Sequence, residues 1–291
     1  MKSYLLIKLK ELNKDNKNLS YEVLREVKVD EYTHIHELES NVSFFQAFCF
    51  AWKSIHDNLD SVKIASIKYG CNISDSTIVS RATYQNVGDI CNIYTSMCNF
   101  LSSANLLISL IEKNATSKKQ REIWIQRKKE LHLENYSYRL CYELRNHSQH
   151  AGMPVTTVNA ENLNTNDDVN IKLILEKDVI LNDRNTTKNL RKYVEQASGD
   201  IDVYENMVHY VEVLGELLEY FFELNNHYYE PIVGYHEVYS KYLSSDKDET
   251  LVLVDSRSKK NDILKTCERL NLNSCKWVID TFSKKNLCDK R

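Results

Sequence analysis

Apolar residues recur in steps of three and four through the middle of the chain. Val87, Ile90, Tyr94, Met97, Leu101, Ala104, Ile108 and Ile111 fall on one side of a helix under that spacing, so a helix is expected from Tyr84 to about Lys113. Asn114, Ala115 and Thr116 break it, and Ser117 is placed to cap the next one. That second helix is expected over 118–150, charged in its first half and carrying Leu133, Tyr138, Leu140, Cys141 and Leu144 in its second. Gly152 supplies a left-handed C-terminal cap and Pro154 a stop. Helical spacing returns over 201–225 with Tyr204, Met207, Val211, Leu214, Leu218 and Phe221. A further helix is expected after Pro231, through Val238, Tyr239 and Tyr242.

The flanks read differently. The apolar runs 4–9 and 62–67 suit strands, and 44–55 suits a strand or a buried helix. Residues 1–80 are therefore expected as a small α/β lead-in module. Within 155–185 the Asn- and Asp-rich stretch 159–168 reads as turns and 169–175 as a short strand, so this segment resembles an insertion. Beyond 245 come an apolar run at 251–254, a candidate helix at 261–270 and a basic amphipathic piece at 277–285. The expected fold class is mainly α: an antiparallel helical bundle over 84–245, flanked by the N-terminal module and a small C-terminal α/β extension at 246–291.

Composition sharpens this picture. Glycine and proline number 6 and 2 in 291 residues, roughly 3% against about 12% in average usage, too few for many short strands joined by tight turns. With 38 Lys and Arg against 41 Asp and Glu, the net charge of −3 excludes a globally basic nucleic-acid coat. No apolar run reaches the ~18 residues of a membrane span, and residues 1–10 have too short an apolar centre for a signal peptide. The 8 cysteines contain no C-x-x-C pair, which argues against a zinc ribbon or a thioredoxin-type site. Free thiols point to a cytoplasmic location. No phosphate-binding glycine loop, dinucleotide fingerprint or nucleophile elbow is present, so no cofactor is expected.

One segment concentrates chemistry. At 100° per residue, Tyr142, Arg145, Asn146, Gln149 and His150 lie within an arc of about 140°, while Leu140, Leu144 and His147 point elsewhere. Asn146 and His150 are i,i+4 neighbours. Histidine titrates near neutrality and transfers protons, arginine presents a planar fork to phosphate oxygens, and asparagine can hold an imidazole tautomer.

The run from Arg145 to His150 reads R-N-x-x-x-H and resembles the R-x4-6-H signature, with Asn after Arg, of the HEPN superfamily. The resemblance covers roughly residues 84–245. It implies a helical bundle with the motif near the end of a long helix, and a metal-independent ribonuclease of a toxin–antitoxin or antiphage-defence system. On that reading Arg145, Asn146 and His150 are catalytic, with His147, Gln149, Tyr142 and Arg139 as candidate substrate contacts. RNA is the partner, and a homodimer pairs two motifs across a two-fold axis. An antitoxin or regulatory partner would restrain the enzyme. The alternative is a non-catalytic HEPN-like module that binds nucleotide, RNA or a protein.

Plainer readings compete with this one. Arg145 and His150 near a helix end would suit the helix dipole and the terminal carbonyls. Glu143, His147 and His150 at i, i+4, i+7 could ligate a metal, with His132 and Glu134 nearby in sequence, but no second E-x-x-H exists to complete a two-metal site. His34 and His36 would share one face of a strand. The basic run 118–129, interrupted by Glu122, is expected as a solvated helix face, some 25–40 Å along the helix from Arg145. Most of the 18 tyrosines are expected in the core and interface.

Overall fold

The computed structural model describes residues 3–13, 18–74, 84–115, 117–150, 152, 155–161, 170–244, 249–258 and 266–283. The chain is mainly helical with two small antiparallel sheets. It divides into two compact units, one formed by residues 1–49 with 222–291 and the other by 50–221. The unit boundaries fall at 49/50 and 221/222. Among the described residues, no helix is long and apolar enough to cross a membrane.

The first unit is built on a four-stranded sheet ordered β2-β1-β6-β7, from β1 (Tyr4–Asn13), β2 (Asn18–Val27), β6 (Glu249–Asp255) and β7 (Glu268–Arg269). The hairpin pairs Tyr4 with Val27 and Lys10 with Ser20, with a register shift after Leu6. The opposite edge of β1 pairs with β6, Tyr4 against Asp255 and Lys10 against Glu249. Four consecutive residues of β6, Leu251 to Val254, are buried, so both faces of the strand are covered. Ile7, Leu9, Val252 and Val254 form the cluster on one face.

Three helical segments complete this unit: residues 29–49 of α1 (Val29–Ser74), α8 (Asn226–Ser240) and α9 (Leu272–Phe282). The Glu39 carboxylate ties them together, accepting from the Tyr235 hydroxyl at 3.2 Å and the Asn271 main-chain N–H at 2.9 Å. Arg25 forms a bidentate pair with Glu31, which also accepts from the Tyr239 hydroxyl at 2.7 Å. Phe45, Phe222, Tyr229 and Phe282 form an aromatic cluster, with the Phe222 and Phe282 rings stacked at 4.5 Å.

The sequence reading needs several corrections here. The run 62–67 is helical, because α1 continues unbroken for 46 residues. His34 and His36 therefore lie on a helix; His36 bonds Glu268 at 2.9 Å, whereas His34 lies 3.7 Å from Glu37. Pro231 sits inside α8, which starts at Asn226 after a break at Asn225. The expected helix at 261–270 ends instead in β7, and 261–265 lie outside the described residues. The basic piece at 277–285 falls partly in α9, with 284–285 outside the described residues.

The second unit is helical. Residues 50–74 of α1 lie antiparallel to α2 (Tyr84–Asn114): Asn58 reaches Ser103 at 2.9 Å, and further along Lys68 reaches Asp89 at 3.5 Å. The buried stripe of α2 runs through Ile93, Met97, Leu101, Ala104, Ile108 and Ile111. At its start that stripe passes through Asp89, while Val87 is 49% exposed, so the first turn faces differently from the expected pattern. Asp89 is held by Asn72 and Lys68. α7 (Val203–Leu224) contributes Met207, Leu214 and Leu218 to the core of this unit. The segment 155–202, which extends beyond the expected insertion at 155–185, forms a three-stranded sheet ordered β3-β4-β5, from β3 (Thr157–Glu161), β4 (Asn170–Leu175) and β5 (Ile201–Asp202). It also carries two helices, α5 (Lys177–Asn182) and α6 (Lys188–Gln196), that the polar sequence there did not suggest.

Candidate active site

The expected helix over 118–150 is two helices, α3 (Lys118–Glu134) and α4 (Tyr136–His150). Ser117 caps α3 through the Gln120 N–H, and Gln120 answers through the Ser117 N–H, a complete capping box. α3 ends at Asn135, which is extended and donates from its main-chain N–H and its side chain to Leu131 O. Asn135 O then accepts from Arg139 N, so one residue closes α3 and opens α4. The axis turns sharply here. The His132 and Tyr142 rings are 6.4 Å apart, where a straight helix would separate these positions by about 15 Å.

α4 packs against α2, α3 and α6. Its inner surface carries Tyr138, Leu140, Cys141 and Leu144, all buried. The Tyr138 ring meets Tyr210 of α7 edge-on at 5.3 Å, and Ser137 Oγ bonds Asn206 Oδ1 at 2.9 Å. Burial raises the Cys141 thiol and the Tyr138 hydroxyl well above their usual ranges, which keeps both neutral.

The polar side chains of α4 divide into ones that face solvent and ones that serve the fold. Tyr142 and Gln149 are exposed, and Arg145 and Asn146 are half-buried next to each other. Arg145 Nη1 donates to Asn146 Oδ1 at 3.1 Å, and its buried Nε has no partner among the described residues. Among the described residues, no carboxylate lies within ion-pair distance of Arg145 and no helix carbonyl accepts from it. Its main-chain oxygen accepts from Ser148 Oγ at 2.9 Å. His150 is the last residue of α4, and its side chain lies outside the described residues.

Arg139 is occupied elsewhere: Nη1 donates to His132 O at 2.9 Å and to Leu133 O, carbonyls that α3 leaves open. His147 is 2% exposed, and its Nδ1 has no partner among the described residues. Burial lowers its pKa below the ordinary 6.5, and the Asp183 carboxylate partly opposes this. His132 is lowered too, first by burial and then by Arg139, with Glu143 opposing.

Glu143 is 6% exposed, and its oxygens accept from Thr187 Oγ1 and Asn189 Nδ2, both at 3.3 Å. Thr187 itself caps α6 through Leu190 N–H, so the carboxylate sits at a helix N-terminus. Glu143 thus serves the α4–α6 contact. Among the described residues, no three His, Cys, Asp or Glu side chains gather in a metal-ligating group. Asp183, Thr187 and Asn189 were not legible as neighbours of the motif, because they lie across the insertion and nothing local in sequence marks the contact.

Gly152 closes the helix through its N–H to His147 O at 3.2 Å, a bond spanning five residues as in a Schellman turn. Its backbone is outside the left-handed region, unlike the cap expected there, and a Cβ at Gly152 would lie 3.9 Å from His147 Nε2. Pro154 lies outside the described residues.

Within the basic run on α3, Lys128 pairs with Glu112 and Arg127 with Glu216 at 3.5 Å, while Lys118, Lys119, Arg121 and Lys129 are exposed. Only Trp124 and Leu131 of that helix are buried, as a solvated face requires. The bend at Asn135 removes the straight spacing to Arg145 expected for one continuous helix.

Compared with protein families, curated proteins and solved structures, the chain matches none.

Proposed function

We propose that the chain is a metal-independent endoribonuclease of the HEPN type, with a HEPN-like antiparallel bundle in its helical unit and its active site on α4. The observation that carries this reading is Arg145, a half-buried cation bonded only to Asn146, with no carboxylate beside it among the described residues. A guanidinium without an anion, next to an amide and one turn from a histidine, suits a phosphodiester.

The reaction needs no metal. An imidazole acting as base takes the 2′-hydroxyl proton, O2′ attacks phosphorus, and the P–O5′ bond breaks. The leaving 5′ oxygen takes a proton from an acid, giving a 2′,3′-cyclic phosphate and a 5′-hydroxyl. Arg145 holds the phosphate and neutralises the charge that builds on its oxygens, Asn146 orients the pair, and His150 transfers protons. One chain supplies one His150, so base and acid come from two protomers of a homodimer whose Arg145 and His150 residues face one groove. A toxin–antitoxin or antiphage-defence setting fits such an enzyme, with an antidote or regulatory protein restraining it.

The test is RNA cleavage by wild type and His150→Ala in the presence of EDTA. The expected result is cleavage to cyclic-phosphate ends by wild type and none by the variant, with an unchanged circular dichroism spectrum. A wild-type protein that cleaves no RNA overturns the enzyme reading. A fully active monomer overturns the composite site. The second reading, a non-catalytic module binding nucleotide, RNA or a protein, draws on Leu133 and Tyr142, exposed by 63% and 39% at the α3–α4 corner. Binding of RNA or nucleotide without cleavage would favour it.

A further inference from the structure

His147 is an ionisable side chain shut inside a helix contact. It projects from the last turn of α4, is 2% exposed, and has an Nδ1 that nothing in the described structure satisfies. Its own carbonyl accepts the Gly152 N–H that ends the helix, and Gly152 packs near its Nε2. Asn146 precedes it and His150 follows one turn later, so whatever moves this ring moves the polar face as well.

We propose that His147 is a pH-sensitive catch: neutral, it holds the last turn of α4 docked; protonated, it releases that turn and with it the Arg145–Asn146 pair. Among the described residues no anion is in contact with the ring, so a charged imidazole must reach water, and the last turn of a helix is the part that opens most readily. This holds whether or not the site cleaves RNA.

The surrounding charges support the direction. Asp183, at the end of α5, is the acidic group whose field reaches the ring, and it only partly opposes burial. On α6, Arg191 bonds Leu181 O and Asp183 O, while Lys188 and Lys192 are exposed. On α4 itself, Glu143 is held by Thr187 and Asn189. Glu112 of α2 pairs with Lys128 of α3, and His132 of α3 rests against Tyr138 and Tyr142. Among the described residues, then, Asp183 alone opposes the burial of the ring, and no carboxylate is in ion-pair contact with it.

Hydrogen exchange of the full chain, resolved to peptides and corrected for intrinsic rates, tests this at about pH 7.5 and about pH 5, on either side of the histidine range. The expected result is a loss of protection of about tenfold or more over 145–152 at the lower pH. His147→Leu, which fills the space without a titratable group, should keep its protection at both. Equal wild-type protection at the two values overturns the proposal, as does the same acid-induced loss in His147→Leu. If that variant does not fold, the wild-type imidazole is followed by NMR. A His147 ring that titrates at or above its ordinary pKa with α4 still protected overturns the catch.

Discussion

Arg139 bridges the break between two helices, donating from one guanidinium nitrogen to the main-chain oxygens of His132 and Leu133. Both carbonyls lie in the last turn of α3, where no later N–H of the same helix can reach them. The guanidinium also lies over the Tyr193 ring, 5.7 Å from its centroid. The residue that the sequence offered as a substrate contact is thus engaged in holding the corner. Arg139→Met should cost about 1–3 kcal/mol of stability in a denaturant titration. Cleavage per folded molecule should change far less than for a substitution at Arg145.

Arg145 should behave in the opposite way. Among the described residues it makes one side-chain hydrogen bond, to its sequence neighbour, and its buried Nε finds no partner. Arg145→Met keeps most of the apolar stem and removes the charge. Stability should stay within about 0.5 kcal/mol of wild type, while RNA cleavage falls by about 10²–10³-fold. Parallel melting and cleavage measurements check the two halves separately.

Two histidines contribute to the acid side of the stability profile. His132 and His147 are both held below their ordinary value of 6.5 in the folded chain, first by burial. Between the folded and unfolded values, the unfolded chain binds more protons, so stability increases with pH there. The loss should begin as pH drops below about 6.5 and level off once both folded groups are charged. Denaturation midpoints taken between about pH 7.5 and 5 should show it, and His147→Leu should flatten part of the slope.

Gly215 gives a test of packing. It lies in α7, and a Cβ there would stand 3.4 Å from Trp52 Cη2, the edge of ordinary contact. Gly215→Ala should therefore be tolerated and gain up to about 1 kcal/mol from helix propensity. Gly215→Leu has no such room and should lose about 1–3 kcal/mol through overpacking. Thermal melts of the two variants should move in opposite directions.

Much of the second unit was legible because its signals are local. The three-four spacing located α2 and α7 nearly to the residue, Ser117 marked a cap, and 169–175 marked β4. Helix α1 was hidden although its buried positions Ile35, Leu38, Val42, Phe45 and Cys49 keep the same spacing. Phe44 and Phe50 fill other faces of that helix and blur the pattern into short apolar runs. The break at Asn135 carried no glycine or proline to announce it. It became visible only through the hydrogen bonds that close α3.

On α4, Leu140, Leu144 and His147 turn inward and Tyr142 and Gln149 outward, as the helical spacing places them, while Arg145 and Asn146 are half-buried. Its division of labour was not legible. Arg139 and His147 have the same residue types as a catalytic set, and only their partners and burial distinguish them.

The pairing of β1 with β6 sets an order of events in the making of the protein. Residues 50–221 leave the ribosome as one uninterrupted stretch and can begin to fold as soon as they emerge. The strand at residues 4–13 is synthesised before the neighbour it needs on its second edge, which is translated some 240 residues later. Until then Leu6, Ile7 and Leu9 belong to a half-built sheet, and the nascent chain must be kept from lending that edge to another.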